Sequence, residues 1–259
     1  MKIFMSFLAA IVFLMTLSAC ESGSEIKYLE TSVTHEYIGT MTFRSEKEYN
    51  EKGELTTFIQ YNDGVEFSRV EYSYTENETI CKTTQPEQTG IIRQKYEKDA
   101  AGNVTRFEMY VDDVLYSVSE STYDGNGNVL TTRVESVSSG ITSNIAYVYD
   151  TFGNCIRETY EHSCGIGETT EHTYDETGKI VSSVTTSLQG ILTSREEHSW
   201  NEEGVELIKS SDDDGILIST AAITYDEAGN MLTSETYDES GALILRSTYT
   251  YEKFEIPVK

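Results

Sequence analysis

One short segment, an aromatic followed by Asp or Asn, two variable residues and Gly, returns along this 259-residue chain at a nearly fixed interval. It reads Tyr49-Asn-Glu-Lys-Gly53, Tyr123-Asp-Gly-Asn-Gly127, Tyr149-Asp-Thr-Phe-Gly153, Tyr174-Asp-Glu-Thr-Gly178, Trp200-Asn-Glu-Glu-Gly204 and Tyr225-Asp-Glu-Ala-Gly229. From Tyr123 to Tyr225 the aromatics are 26, 25, 26 and 25 residues apart. Tyr74 and Tyr251 extend the series, and the copy near Tyr96 carries an inserted residue before Gly102. A second turn signal falls halfway along each unit, at Gly39, Gly64, Gly90, Asp112-Asp113, Gly140, Gly165, Gly190, Gly215 and Gly241. A fixed period of this size marks a repeat architecture, in which each unit buries its apolar face only against its neighbours.

Between turns lie runs of about eight residues rich in Thr, Val, Ile and Tyr, the signature of strands joined as hairpins. Asp and Asn bond their own backbone in such turns, and Gly supplies positive φ without steric cost. With only two prolines, Pro86 and Pro257, nearly every strand is free to pair. Strand side chains alternate with a period of two, so Leu243, Leu245, Ser247, Tyr249 and Tyr251 share one face. Two residues before each repeat aromatic stands another large group: Tyr72, Tyr147, His172, His198, Ile223 or Tyr249. Stacked repeats would align these as aromatic and aliphatic ladders, broken at Glu66 and Ser121.

The segment Tyr225-Asp-Glu-Ala-Gly229 with Tyr237-Asp-Glu-Ser-Gly241 resembles the YD repeat of bacterial RHS proteins, Tc-toxin shells and teneurins. The resemblance covers roughly residues 39–252 and is weakest at 74–100. It implies β-hairpins coiling into a continuous curved sheet. The unit here is longer than the usual YD repeat, there are about eight, and no conserved core segment or toxin follows Tyr251, so encapsulation is not implied. The expected fold is all-β: antiparallel hairpin repeats of about 25 residues in a curved, elongated or partly closed sheet. Its last strand should end near Tyr251 as an edge, covered or terminated by Glu252–Lys259.

The N-terminus has a separate logic. Lys2 precedes an apolar run from Ile3 to Leu17, too short for a membrane-spanning helix of ~20 residues but suited to a secretory signal. The run closes on Leu17-Ser18-Ala19-Cys20, which resembles the bacterial lipobox. That resemblance implies cleavage before Cys20 and a diacylglyceryl group, with fatty chains such as palmitate, on its thiol. Several acyl chains anchor a protein stably where one is marginal. The expected organisation is a signal peptide at 1–19, a lipid-anchored flexible tether at 20–30 and a hairpin-repeat domain at 31–259. It places the domain outside the cytoplasm, in the cell envelope.

Removing residues 1–19 takes away Lys2 and no acid, leaving 18 basic and 44 acidic residues, net −26. That charge disfavours nucleic acid and anionic headgroups as partners. Cys81, Cys155 and Cys164 form no disulfide framework, although a Cys155–Cys164 bridge is open. His162, Cys164, His172 and His198 lack the tight spacing that zinc needs, and ladder filling accounts for them. Asp124, Asn126, Asn128 and Glu135 mimic part of a calcium loop, but Val129 stands where Gly is required. Asp212-Asp213-Asp214-Gly215 reads as an acidic turn. No cofactor or metal is expected, and no catalytic motif is found.

The remaining candidate ligand face is the aromatic ladder: Tyr123, Tyr147, Tyr149, Tyr174, Trp200, Tyr225, Tyr249 and Tyr251. The expectation is a non-enzymatic surface module that binds a glycan or a protein. The alternatives are a structural component without separable ligand and a glycan-processing enzyme.

Overall fold

The computed structural model describes residues 24–85 and 88–257, so Cys20 and Pro86 lie outside the described residues. The described chain is almost entirely antiparallel strand. It runs β1 (Ser24–Tyr37), β2 (Met41–Tyr49), β3 (Leu55–Asn62), β4 (Val65–Tyr74), β5 (Glu78–Gln85) and β6 (Gln88–Lys98). The middle third is β7 (Val104–Val111), β8 (Val114–Tyr123), β9 (Val129–Ser136), β10 (Ile141–Tyr149), β11 (Cys155–His162) and β12 (Gly167–Tyr174). It ends with β13 (Ile180–Ser187), β14 (Leu192–Trp200), β15 (Glu206–Ser211), β16 (Leu217–Tyr225), β17 (Met231–Asp238) and β18 (Leu243–Pro257).

The repeated turn explains why the units fold alike. At Asp124 one carboxylate oxygen accepts the N–H groups of Asn126 (2.8 Å) and Asn128 (2.9 Å), while the other accepts the Asn128 side-chain amide (2.9 Å). Asp99, Asp150 and Asp226 repeat all three bonds with Asn103, Asn154 and Asn230. The glycine immediately before that Asn takes the left-handed conformation, for example φ 89° at Gly127, which a Cβ disfavours; in sequence this is Asp-x-x-Gly-Asn. At the opposite ends of the strands the turn length varies: Asp212–Ile216 repeats the five-residue Asp turn, whereas Asp112 and Asp113 both adopt positive φ (47° and 63°), as a two-residue hairpin with right-handed strand twist requires. Gly90, read from the sequence as a turn residue, instead lies within β6 opposite Thr83.

Each strand pairs with its sequence neighbours, and β1 also pairs with β18 from Ser24↔Pro257 to Tyr37↔Leu245. The eighteen strands therefore close into an up-and-down β-barrel. This corrects the expectation of an open or partly closed sheet. The physical reason lies in the termini. Residues 24–30, read as tether, are strand β1, and the tail from Glu252, read as an edge cover, continues β18 and hydrogen-bonds to it. With both edges joined, no long edge is left to template aggregation except where β1 and β18 run past the rim.

The faces are sharply different. Except for Ile59, every buried residue lies in the register of the aromatic ladder, including Val33, Val70, Cys81, Ile92, Met109 and Ile223. The ladder face is therefore the concave, inner face. For eighteen strands spaced ~4.8 Å apart and tilted ~40°, the ring is roughly 35 Å across and somewhat over 20 Å tall. No strand brings a Cα within 8 Å of any strand other than its two neighbours, so the described wall encloses a lumen. Among the described residues, buried side chains form a continuous apolar cluster on one arc of the inner face, where Val70, Cys81, Ile92 and Met109 pack with Phe58, Tyr72, Phe107 and Tyr116.

In place of a central core, successive units are stapled together. The Tyr49 hydroxyl donates to the Glu30 carbonyl (2.8 Å), Tyr74 to Leu55 (2.6 Å), Tyr123 to Val104 (2.7 Å) and Tyr174 to Cys155 (2.8 Å). In each case the acceptor is nineteen residues earlier, so the tyrosine closing one unit is tied to the strand that opens it. Tyr174→Phe should cost about 0.5–1.5 kcal/mol, the net value of one hydrogen bond, and Tyr174→Ala distinctly more. Tyr28→Ala, at a position 45% exposed, should cost much less. Urea denaturation of the three variants is the measurement.

Candidate functional site

The ladder residues named from the sequence all face the lumen, gathered near the mouth where the Tyr-Asp turns lie. They do not form one continuous stack. Tyr147 and Tyr149 sit 6.5 Å apart between ring centroids, Trp200 and Tyr225 stack at 5.6 Å, and Tyr249 meets His35 edge-on at 6.5 Å. Ser and Thr hydroxyls fill the rungs between them: Ser117, Ser119 and Ser121 on β8, and Ser183 and Thr185 on β13. Burial pushes the Tyr49, Tyr96 and Tyr147 hydroxyls up to about 12, with nearby carboxylates adding to the effect. The same cause lifts the Cys81 thiol to about 12.

Within this girdle one cluster stands out. At the second residue after the turn glycine, the other Tyr-Asp turns carry Leu55, Val104, Val129, Cys155, Ile180 and Met231, whereas β15 opens on Glu206. Glu206 is 8% exposed. Its carboxylate accepts or shares a hydrogen bond with His198 Nδ1 at 2.9 Å and accepts the Tyr225 hydroxyl at 2.5 Å. Tyr225 is the fifth staple tyrosine, again nineteen residues from its acceptor, but here the side-chain carboxylate replaces the backbone carbonyl. Burial first, then this hydrogen bond, raise the Tyr225 hydroxyl well above the ordinary tyrosine range.

Trp200 completes the cluster. It is sandwiched between Tyr225 and the Lys179 ammonium, which lies 3.5 Å from the ring centroid. His198 Nε2 and Trp200 Nε1 are both buried without a hydrogen-bond partner. Two desolvated nitrogens beside a buried carboxylate make this a strongly polarised point of the inner wall, because unmet polar groups in such surroundings are costly; a second is the ion pair of Lys47 with Glu30, 2.5 Å apart on the same face. Glu206 was missed in the ladder reading, which tracked the residues before each aromatic. The signal was a lone acid in an otherwise apolar column after the glycine.

Other sequence candidates are kept apart. His172 Nδ1 bonds Ser183 at 2.9 Å and so does not join His198, two strands away. His162 Nδ1 lies 2.8 Å from Cys164 Sγ. Cys155 and Cys164 are both free, which removes the possible bridge. Cys155 opens β11 at one rim and Cys164 lies in the turn beyond its other end, at the opposite rim. The oxygens of Asp124 are already engaged by their own turn, as are those of Asp212, whose Oδ1 accepts Asp214 and Ile216 N–H groups. Among the described residues no group of three or more metal-ligating side chains converges.

The outer wall carries charge at mid-height. Arg106 pairs with Glu120 (2.7 Å), Arg157 with Glu171 (2.7 Å) and Arg246 with Glu235 (2.8 Å), each in register across neighbouring strands. Such exposed pairs contribute little to stability. An unpaired Arg on the lipid face of a barrel costs ~2–4 kcal/mol at mid-membrane, so charge in these positions suits a wall in water.

No family model matches the chain, and no curated protein matches it. Among solved structures it is similar to a porin-like protein from Bacteroides uniformis, with 11% identity and a TM-score of 0.49, covering 90% of this chain and 100% of that one. A second, a porin-like protein from Bacteroides vulgatus, has 11% identity and a TM-score of 0.38, covering 87% and 99%.

Glu206→Ala strands the His198 and Tyr225 hydrogen-bonding groups in the wall, so a loss of roughly 2–3 kcal/mol is expected. Glu203→Ala in the adjoining exposed turn should change stability by less than ~0.5 kcal/mol. Chemical denaturation at pH 7 reads both. Alkaline melting gives a second check. The unfolded chain loses its tyrosine protons near pH 10, while the folded barrel holds those of Tyr49, Tyr96 and Tyr147 until about 12. The stability from these groups is complete below pH 10 and is lost as pH rises through 12, so the melting temperature should fall steeply across that interval.

Proposed function

We propose that this protein is an extracytoplasmic, lipid-anchored, non-enzymatic binding module of the bacterial cell envelope, whose ligand is received in the barrel lumen. The observation that carries the reading is the division of chemistry between the two faces. Charge pairs cover the outside, while aromatic rings, hydroxyls and the Glu206 cluster are collected on the inside. A lumen of this width admits a chain rather than a small molecule. Rings interleaved with Ser and Thr suit a glycan, whose sugar faces stack on aromatics and whose hydroxyls exchange hydrogen bonds with the rungs.

The lipobox supports the anchor, and the direction of the chain fits it. β1 enters at the Tyr-Asp mouth, beside the end of β18, so a lipid on Cys20 would hold that mouth toward the membrane. The charged outer wall argues against a membrane-spanning pore. The alternative of a purely structural component makes a different forecast for the lumen, which a binding experiment separates.

Trp200 is the single tryptophan, so its fluorescence reports on the lumen. Envelope polysaccharide fragments titrated into the protein lacking residues 1–20 should shift that emission saturably, and Tyr225→Phe together with Glu206→Gln should weaken the response at least fivefold. A glycan array without a hit, combined with unchanged Trp200 emission, would favour the structural alternative. Absence of an acyl mass on the Cys20 peptide would remove the anchor.

A further inference from the structure

The two mouths of the barrel differ in a way that neither the ladder nor the lumen explains. At the Tyr-Asp mouth most turn tips are polar, as in Glu51-Lys52, Glu176-Thr177 and Glu202-Glu203, with Ala100-Ala101 and the exposed Phe152 as isolated apolar departures. At the opposite mouth the turns end in an exposed aliphatic residue. Val65 and Val114 are each 69% exposed, Ile166 69%, Ile191 63%, Ile216 59% and Ile141 42%. The pattern is repeated from unit to unit, so it is a property of the array rather than a chance exposed residue.

Along β9 to β16 the crown is continuous. Val137 and Leu188 add further exposed apolar surface on the turns between Ile141, Ile166 and Ile191. Leu188 reaches across from its own turn to the next: its N–H bonds the Gly167 carbonyl at 3.2 Å. A Cβ on Gly167 would collide with the Tyr160 carbonyl oxygen and lie 2.9 Å from Leu188 Cδ1, so the absent side chain admits both the neighbouring strand and Leu188. Four neighbouring turns thus present one apolar arc, roughly 35 Å long from the spacing of tilted strands. Water does not favour so much exposed aliphatic surface on an otherwise acidic protein, and patches of this kind mark interaction sites.

The rim also states the charge of its partner. Asp112-Asp113 precedes one end of the arc and Asp212-Asp213-Asp214 adjoins the other, and the turns between them contain no Lys or Arg. A second copy docked crown to crown would bring these acids face to face. An anionic bilayer would be repelled in the same way. A surface that is apolar in the middle and basic at its flanks meets both requirements. The chain's N-terminal strand enters from the other mouth, which leaves the crown directed away from whatever the N-terminus is fastened to.

We infer that this crown is a docking surface for a protein partner that presents a cationic amphipathic segment, apolar along one side and flanked by Lys or Arg. It lies on the rim, away from the Glu206 cluster at the other mouth. Its occupation is therefore independent of the proposed lumen ligand, and the two can be tested apart.

The probe is a fluorescent amphipathic helical peptide of Leu and Lys, compared with a counterpart in which Glu replaces every Lys. Polarisation with the purified protein should show saturable binding of the cationic peptide alone. Ile166→Ser with Ile191→Ser removes no charge and alters only turn residues, so the melting temperature should hold while affinity falls at least tenfold. Asp213→Asn with Asp214→Asn should weaken binding severalfold, while the same charge change at the other mouth, Glu202→Gln with Glu203→Gln, should not. Equal affinity of wild type and the Ile166/Ile191 variant would overturn the proposal, as would equal binding of the acidic peptide. So would self-association by light scattering, or co-sedimentation with phosphatidylcholine vesicles, if either is abolished by that variant. Trp200 emission with glycan should be the same in the crown variants, so failure here leaves the lumen reading separately testable.

Discussion

The antiparallel pairing of β1 with β18 is the interaction on which the rest of the molecule depends. Seventeen hairpin-type connections would by themselves produce a long ribbon with two unpaired edges. Joining the first strand to the last converts that ribbon into a ring, fixes which face is concave and removes the edges except near the termini. Closure also sets the curvature, and curvature is what crowds the ladder residues while leaving the outer charges spread in water. Every later distinction between inside and outside follows from that join.

A ring this wide has no centre to fill, so its stability is distributed. The turn aspartates hold each hairpin locally, the staple tyrosines link the strands that flank successive turns, and only the arc around Cys81 resembles an ordinary core. Such an arrangement sums many nearest-neighbour terms. It frees the inner wall to depart from the repeat at one place without loss of the fold. Glu206 is that departure: it takes the tyrosine hydrogen bond that the other staples give to the backbone and adds His198 to it.

Much of the architecture was legible from residue spacing. The aromatic-to-turn register, the period-two face and the Asp-x-x-Gly turn all correspond to observed hairpins; the Asn that closes the turn was added by the structure. Closure was not legible, because nothing in a repeat unit says how many copies complete a circle. Ser24–Glu30 and Glu252–Pro257 also lack the repeat signature, yet they are strand and prolong, past the rim, the seam that Ser32–Tyr37 and Leu245–Thr250 close. Their composition reads as linker and tail, and only the long-range register makes them strand. The candidate site was half visible: the ladder positions were found, with their lumen-facing direction supplied by closure. Glu206 is the one acid in the otherwise apolar column two residues after the turn glycine, a signal that the period-two count does not use. The apolar crown was likewise present in the repeated Gly-Ile and Gly-Val pairs. Alternation alone does not mark them as rim residues, because it cannot tell the end of a strand from its middle.

Closure is tested most directly by cross-linking across the seam. Thr34 and Thr248 are opposed Cα partners on the outer face of β1 and β18, 214 residues apart in sequence. With Cys20, Cys155 and Cys164 replaced by Ser and Cys81 left in its buried position, cysteines at Thr34 and Thr248 should be joined by a short bis-maleimide rapidly and within one chain. Cysteines at Thr34 and Thr122, on opposite sides of the ring, should not be joined. A native protein that links neither pair, with strand content and melting temperature unchanged, would mean that the sheet is open and that its inner face is not a lumen.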